Sequence, residues 1–477
     1  MIMHERAVNR EGVSIVEGNE SETKECLVSE SAAAAIARAG SPVELLRNAQ
    51  ARPTVFPVTP EFSNWRSEQL AWRDSVALLD QSHHMTDLFI SGPDAGRLLS
   101  DTGVNSFANF PVDAAKQFVA VNHEGYLIGD AILFHLEEDV YDLVGWHMVL
   151  DWVQFHGETG DYDVQFERDA SSIVREGDPK LYRFELQGPH ALALMEKVTG
   201  APVPHTRFFG MATFQIAGKT VRSLRHGMAG QPGFELFGPW ADGEAVREAL
   251  IAAGEEFGLV LVGSKAYSSA NLESAWVPSP LPAIFTGEGS AEYLEWLPAA
   301  RTGSIAGSLT SDDIEDYYLT PYDLGYGRTV AFDHDFIGRE ALERHAAAPQ
   351  RVKVTLVWNP EDVAAAQRSL YEPGTPAKYI DFPKARYGQH QMDTVLRDGV
   401  DVGVSHDVGY IVGEQAFVSL ASIAAEHAEP GTEVVVVWGE HPVSRKPAVE
   451  PHRQVQIRAT VEPAPYSRTA RESYRKS

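Results

Sequence analysis

The sequence predicts an α+β fold with a β-rich C-terminal end, and three observations carry that prediction. Apolar runs of strand length are interrupted by amphipathic helices, without the strict strand–helix alternation of a doubly wound sheet. After Gln350 the pattern changes to short β-rich stretches separated by Gly and Pro, the mark of a small barrel or sandwich. The 477 residues, at roughly 150 per domain, allow about three domains. The division expected is a flexible N-terminal extension over residues 1–40, two subdomains over 41–345, and a β-rich domain over 346–477.

Residues 1–28 are rich in Glu, Ser and Asn and lack periodicity, so they read as a tail. Residues 29–38 are Ala-rich and helix-prone, ended by Gly40, Ser41 and Pro42, after which a second helix begins at Val43. Leu88, Phe89 and Ile90 form a strand stopped by Ser91-Gly92-Pro93, and a helix follows at 95–99. Residues 118–121 and 126–128 flank His123-Glu124-Gly125 and read as a hairpin, which 131–136 and 140–144 extend. Helices are expected at 151–157 and 190–199, and strands at 208–216, 220–224 and 233–237. Residues 243–257 space their apolar positions three and four apart, as a helix requires. In the last third, strands fall at 351–358, 394–396, 402–404, 416–419, 432–438 and 454–461, with a long loop at 373–387.

Composition narrows the function. Apolar residues make up 44% and charged residues 22%, so the chain can bury a core. Lys and Arg number 40 against 67 Asp and Glu, a net charge of −27. That surface repels phosphate backbones and anionic lipid, so neither nucleic acid nor a membrane is an expected partner. Cys26 is the single cysteine, which excludes an internal disulfide, a Cys-based zinc site or an iron–sulfur cluster. No apolar run approaches the roughly 20 residues of a membrane helix. The acidic N-terminus lacks the order of a signal peptide, and a cytoplasmic chain is expected.

Local motifs give little. There is no GxxxxGK[ST], no GxGxxG between strand and helix, no HExxH and no GxSxG nucleophile elbow. Longer stretches say more. VALLDQSHHMTDLFISGPD (76–94), LQGPHALALMEKVTG (186–200), RHGMAGQPGFELF (225–237), SKAYSSANLESAWVP (264–278) and DLGYGRTVAFDHDFIGREAL (323–342) occur in that order. Together they resemble the glycine-cleavage T-protein superfamily, the tetrahydrofolate-dependent aminomethyltransferases, over residues 42–466. SNWRSEQLAWRDS (63–75), LESAWVPSPLPAIFTG (272–287), IEDYY (314–318) and VEPHRQ (449–454) further resemble the bacterial aromatic O-demethylases.

The resemblance implies a T-protein-like fold of two intertwined α+β subdomains and a barrel-like C-terminal domain. It implies tetrahydrofolate as methyl acceptor, no metal, and a small methoxylated aromatic of the vanillate, syringate or guaiacol type as donor. Glu235 falls where the superfamily places its pterin-binding glutamate, since a carboxylate can accept paired N–H bonds from the ring; alone it would read as an exposed hairpin residue. Gly227, Gly230 and Gly233 would let backbone approach the ring. Gln187 could reach the same edge or brace its own turn. Trp276 and Phe234 offer flat apolar surface for the ring, or simply pack in the core. Tyr267 matches a tyrosine implicated in catalysis in the demethylases and could protonate the departing aryl oxygen; otherwise its hydroxyl faces water. His84 could orient a phenolic hydroxyl or shuttle its proton, or be structural.

Two departures bear on substrate. Where the demethylases carry a Gly-Arg pair that holds a benzoate carboxylate, this chain has Gly145-Trp146, and Trp146 cannot form a bidentate ion pair. Thr54 and Phe56 replace tyrosines of that branch, giving a more apolar pocket. Where aminomethyltransferases carry two adjacent acidic residues, this chain has Gly129-Asp130, which argues against glycine-cleavage chemistry and against a lipoyl-protein partner. The alternatives within the fold are an aminomethyltransferase, a sulfonium or amine demethylase, and a non-enzymatic folate-binding scaffold.

Overall fold

The computed structural model describes residues 30–49, 56–348, 351–442, 444–446 and 449–474. Two sheets and a barrel organise it. The first sheet has six strands in the order Leu259–Val262, Val76–Asp80, Leu181–Gln187, Gly233–Pro239, Lys219–Arg225 and Met211–Ile216. Its neighbours are antiparallel except for the parallel pair Val76–Asp80 and Leu259–Val262. The second sheet is antiparallel throughout, in the order Ala114–Val121, Leu127–Glu137, Val140–Gly145, Thr86–Ser91 and Gln165–Asp169. Because Val76–Asp80 joins the first sheet before any strand of the second is made, the two subdomains are interleaved along the chain. The C-terminal strands close into a barrel in the order Arg351–Trp358, Ala416–Ala424, Val400–Ile411, Asp393–Arg397, Glu433–Trp438 and Val455–Pro463. Closure leaves no unpaired edge there.

Alternation of side chains decides which faces meet. Val76, Leu78, Tyr182, Phe184, Leu186, Phe234 and Leu236 form the outer face of the first sheet and pack on Leu194, Met195, Val246 and Leu250 of helices Ala191–Thr199 and Gly243–Gly254. Leu88, Ile90, Leu133 and Leu143 form the outer face of the second and pack on helices Ala95–Thr102 and His147–Thr159. Each such side chain contributes roughly 1.5–3 kcal/mol on burial. The inner faces meet through Ala115, Phe134 and Val144 on one side and Met211, Leu224 and Phe237 on the other. Ile411, Val418 and Leu420 attach the barrel through Val119, Val121, Leu272 and Leu324.

Two expectations need correction. The N-terminal extension is not loose up to residue 40. Helix Ala32–Ala39 starts at Ser31, whose hydroxyl caps Ala34 N–H, and ends at Gly40 with φ 97°. Ala32 and Ala35 are buried, and Ala32 N–H donates to Leu297 O at 2.7 Å. The small alanine face lets this helix sit close against the body. The reading of residues 1–28 falls outside the described residues. The strand expected from 208 begins only at Met211, because Phe209 has a φ of 61°. Among the described residues no helix is long and apolar enough to cross a membrane.

Candidate active site

Strand Leu181–Gln187 reads LYRFELQ, and its alternate positions Arg183, Glu185 and Gln187 face the second sheet. Arg183 is 2% exposed. Its Nη2 bonds Asp142 Oδ2 at 2.7 Å and also Asp87 Oδ1, while Nη1 donates to Glu235 Oε1 at 3.1 Å. Asp87 and Asp142 belong to the second sheet, so one guanidinium joins the two sheets. The rings of Phe134 and Phe237 lie 5.1 and 5.0 Å from it, within cation–π range. Burial opposes the Arg183 charge, yet Asp87, Asp142 and Glu235 outweigh it and raise its pKa. Burial also lifts the Asp142 and Glu235 carboxyls above their ordinary range, against the pull of Arg183.

Glu185 stands directly across from Glu235 in the strand ladder. Its carboxylate accepts from Gln81 Nε2 at 2.5 Å, from Met228 N–H at 2.6 Å and from Gln187 Nε2. Burial pushes it up to about 7, and Glu235 adds repulsion. The buried row therefore holds Asp87, Asp142, Glu185 and Glu235 against a single arginine, with His226 Nδ1 3.9 Å from Glu235 Oε2. Acceptors outnumber donors.

Gln187 does not present a free edge. Its amide donates to Glu185 and its Oε1 accepts Ala229 N–H at 2.6 Å, so it fastens the 228–229 loop. Gly227 serves that loop as well, because a Cβ there would lie 2.0 Å from Gln231 O. Phe234 requires correction as a ring-contacting residue. It is next to Glu235 in a strand and so points the opposite way, into the helix-covered core with Leu186 and Leu236.

Tyr267 ends the short helix Ser264–Tyr267, and its hydroxyl lies 2.8 Å from His84 Nε2. The two rings meet edge to face at 5.0 Å, and Phe56 packs on His84 at 5.6 Å. Burial pushes His84 down to about 4, so its imidazole is neutral. Burial, with Glu185 and Glu235 nearby, holds the Tyr267 hydroxyl well above its ordinary value. Both groups are thus neutral hydrogen-bonding partners near pH 7. They line a cavity of about 20 Å³ with Phe56, Val58, Asp80, His83, Val262 and Ser264. Such a space holds about one water. His83 also places its Nδ1 3.0 Å from Ser172 Oγ. Thr54 lies outside the described residues.

Trp276 donates its indole N–H to Asp130 Oδ2 at 2.9 Å, and Gln117 Nε2 donates to the same oxygen at 2.8 Å. Tyr326 donates to Oδ1 at 3.3 Å. Asp130 therefore fixes the indole. Ile132 pairs with Val144, so Asp130 and Trp146 stand two positions further along neighbouring strands. The backbone at Trp146 is still extended (φ −74°, ψ 144°) as it enters helix His147–Thr159. Trp146 is thereby placed at the Asp130 end of the inner face. Sequence reasoning missed Gln81, Arg183 and Glu185, although the alternation of LYRFELQ is a signal for the last two.

The inner face between the two interleaved subdomains thus combines a buried carboxylate row with a neutral Tyr–His pair. Residues 45–278 match the GCVT N-terminal domain family. The chain belongs to the glycine-cleavage T-protein superfamily, and within it the aromatic O-demethylases are its kin. It is 50% identical over 442 residues to syringate O-demethylase of Sphingobium sp., spanning 91% of this chain and 96% of that protein. It is 30% identical over 426 residues to sesamin methylene transferase of Sinomonas sp., spanning 85% and 89%. The glycine cleavage system aminomethyltransferase T of Bartonella henselae shares the fold, with a TM-score of 0.59 at 19% identity over 89% of this chain and 96% of that one.

Proposed function

We propose that this protein is a tetrahydrofolate-dependent O-demethylase that moves a methyl group from a methoxylated aromatic to tetrahydrofolate, giving a phenol and 5-methyltetrahydrofolate. The observation that carries the reading is the buried Tyr267–His84 pair at 2.8 Å, two neutral groups beside a carboxylate-rich row. The similarity to syringate O-demethylase supports it.

The row suits a reduced pterin. Its acceptors exceed its donors, and a pterin edge offers several N–H groups; Glu235 would hold that edge while Trp276, fixed by Asp130, would flank the ring. When bound, tetrahydrofolate supplies the N5 lone pair that takes the methyl carbon, and the N5 proton is given up. The chain's own contribution is alignment and acid catalysis. Orientation of two bound reactants is worth roughly 7–11 kcal/mol. As the methyl–oxygen bond breaks, its electron pair stays on the aryl oxygen, and the Tyr267 hydroxyl turns from His84 to protonate it. General acid help of this kind contributes on the order of a hundred- to ten-thousand-fold. The proton released at N5 restores Tyr267 through solvent, so protons balance. His84 accepts from the hydroxyl between turnovers and fixes its direction.

Incubation of the purified protein with tetrahydrofolate and syringate, vanillate, guaiacol and a methylenedioxybenzene, followed by mass spectrometry, tests the proposal. A phenol and 5-methyltetrahydrofolate in equal amounts are expected from at least one methyl ether. Conversion of the methylenedioxy compound alone would favour methylene transfer instead, the chemistry named for the Sinomonas relative.

A further inference from the structure

Gln81 closes the strand Val76–Asp80 and is 2% exposed. Its N–H donates to Arg183 O at 2.8 Å, which pins the backbone. Its side-chain Nε2 donates to Glu185 Oε2 at 2.5 Å. The ionised Glu185 can only accept, so above pH 7 this contact assigns the near end of the amide as NH₂ and leaves Oε1 pointing elsewhere. That oxygen is buried and meets no donor in hydrogen-bonding geometry among the described residues, although the amide stands beside the Tyr267 hydroxyl.

The neighbouring donors are already used. The Tyr267 hydroxyl is engaged with His84, Gln187 Nε2 and Met228 N–H with Glu185, and Ala229 N–H with Gln187. Arg183 is spent on Asp87, Asp142 and Glu235. A buried carbonyl left without a donor is costly, so a donor brought by a ligand is the natural complement. Gln81 does not line the small cavity of Phe56, His84 and Tyr267. It is anchored on Glu185, which stands opposite Glu235. The open acceptor therefore stands between Glu185 and the Tyr267 hydroxyl, where a bound methyl donor and its acceptor would have to converge.

We propose that Gln81 Oε1 accepts the N5–H of the bound reduced pterin and so aims the N5 lone pair at the methyl carbon. The inference rests on the tetrahydrofolate reading above and assigns Gln81 as a residue that tells acceptor from product. The methylated product has no N5–H, loses this bond, and leaves Oε1 unpaired, which favours its release.

Calorimetry on the wild-type protein with tetrahydrofolate and with 5-deazatetrahydrofolate, which carries a CH₂ at position 5, tests this without any variant. The deaza compound is expected to bind on the order of tenfold more weakly. In Gln81→Met, which keeps length but has no acceptor, the two affinities should become equal. Equal binding to wild type would overturn the proposal and leave Oε1 to a water. A tenfold preference that survives in Gln81→Met would overturn it too, by placing the N5–H contact elsewhere. A preference for guaiacol over 1,2-dimethoxybenzene that vanishes in Gln81→Met, with the pterin ratio unchanged, would give the acceptor to the arene. Failure of both pterins to bind wild type would instead remove the tetrahydrofolate reading itself.

Discussion

The Tyr267 hydroxyl and His84 Nε2 are 2.8 Å apart, and burial keeps the tyrosine protonated and the histidine neutral. A neutral phenol beside a neutral imidazole can lend a proton to a leaving oxygen without first creating a buried charge.

Tyr267→Phe removes only that hydroxyl. Single-turnover phenol formation should fall on the order of a hundredfold or more, with tetrahydrofolate affinity close to wild type. A transfer rate equal to wild type, with chemistry limiting, would take Tyr267 out of the reaction.

Glu235→Ala should weaken tetrahydrofolate binding strongly, because each charge-assisted bond is worth roughly 1.5–3 kcal/mol. Glu235→Gln should do less, as it retains one acceptor. Arg183 loses its partner outright in Glu235→Ala and only that partner's charge in Glu235→Gln, so thermal stability should drop more in the alanine variant. Calorimetric affinities matching wild type in both variants would show that the pterin is held elsewhere.

The pH dependence of stability tests the buried row. Burial lifts Glu185 to about 7 from an ordinary 4.5. Below pH 4.5 the group is protonated both folded and unfolded and costs nothing. As pH rises to 7 the unfolded chain ionises first, so stability is lost, by roughly 3 kcal/mol at most. His84, His390 and His406, held near 4, act oppositely and lose stability as pH falls. The difference between variants isolates the glutamate. Glu185→Gln should gain on wild type between pH 4.5 and 7 in chemical denaturation, and a pH-independent difference would contradict the assignment.

Trp146→Arg tests substrate choice. An arginine at this position could pair with a benzoate carboxylate, so kcat/KM for vanillate should rise relative to guaiacol. Wild type itself should discriminate weakly between them. A wild-type enzyme that strongly prefers vanillate, and an arginine variant that loses the preference, would show that another group holds the carboxylate.

The layout was legible where it rests on local pattern. The β-rich end, the hairpin around Gly125 and the interleaved helices follow from periodicity and turn residues. Phe234 shows what a stricter reading would have gained, since neighbours in a strand cannot both face one ring and Glu235 already claimed that side. The Arg183 cluster was only half legible. LYRFELQ announces polar groups inside a buried strand, but their partners Asp87 and Asp142 lie far away in the chain, and nothing in the sequence states the register that brings them together. The closed form of the Phe56 cavity depends on side-chain packing, which composition does not encode.

Arg183 reaches from one sheet to two aspartates of the other and to Glu235 in its own. A change at Glu235 therefore also loosens the joint between the subdomains, so the chemistry of that carboxylate and the folding of the chain are inherited together. Among the described residues, Phe56, Val58 and Trp146 have no share in that joint. Substitutions at those positions are therefore expected to leave the joint between the subdomains, and the stability it carries, unchanged.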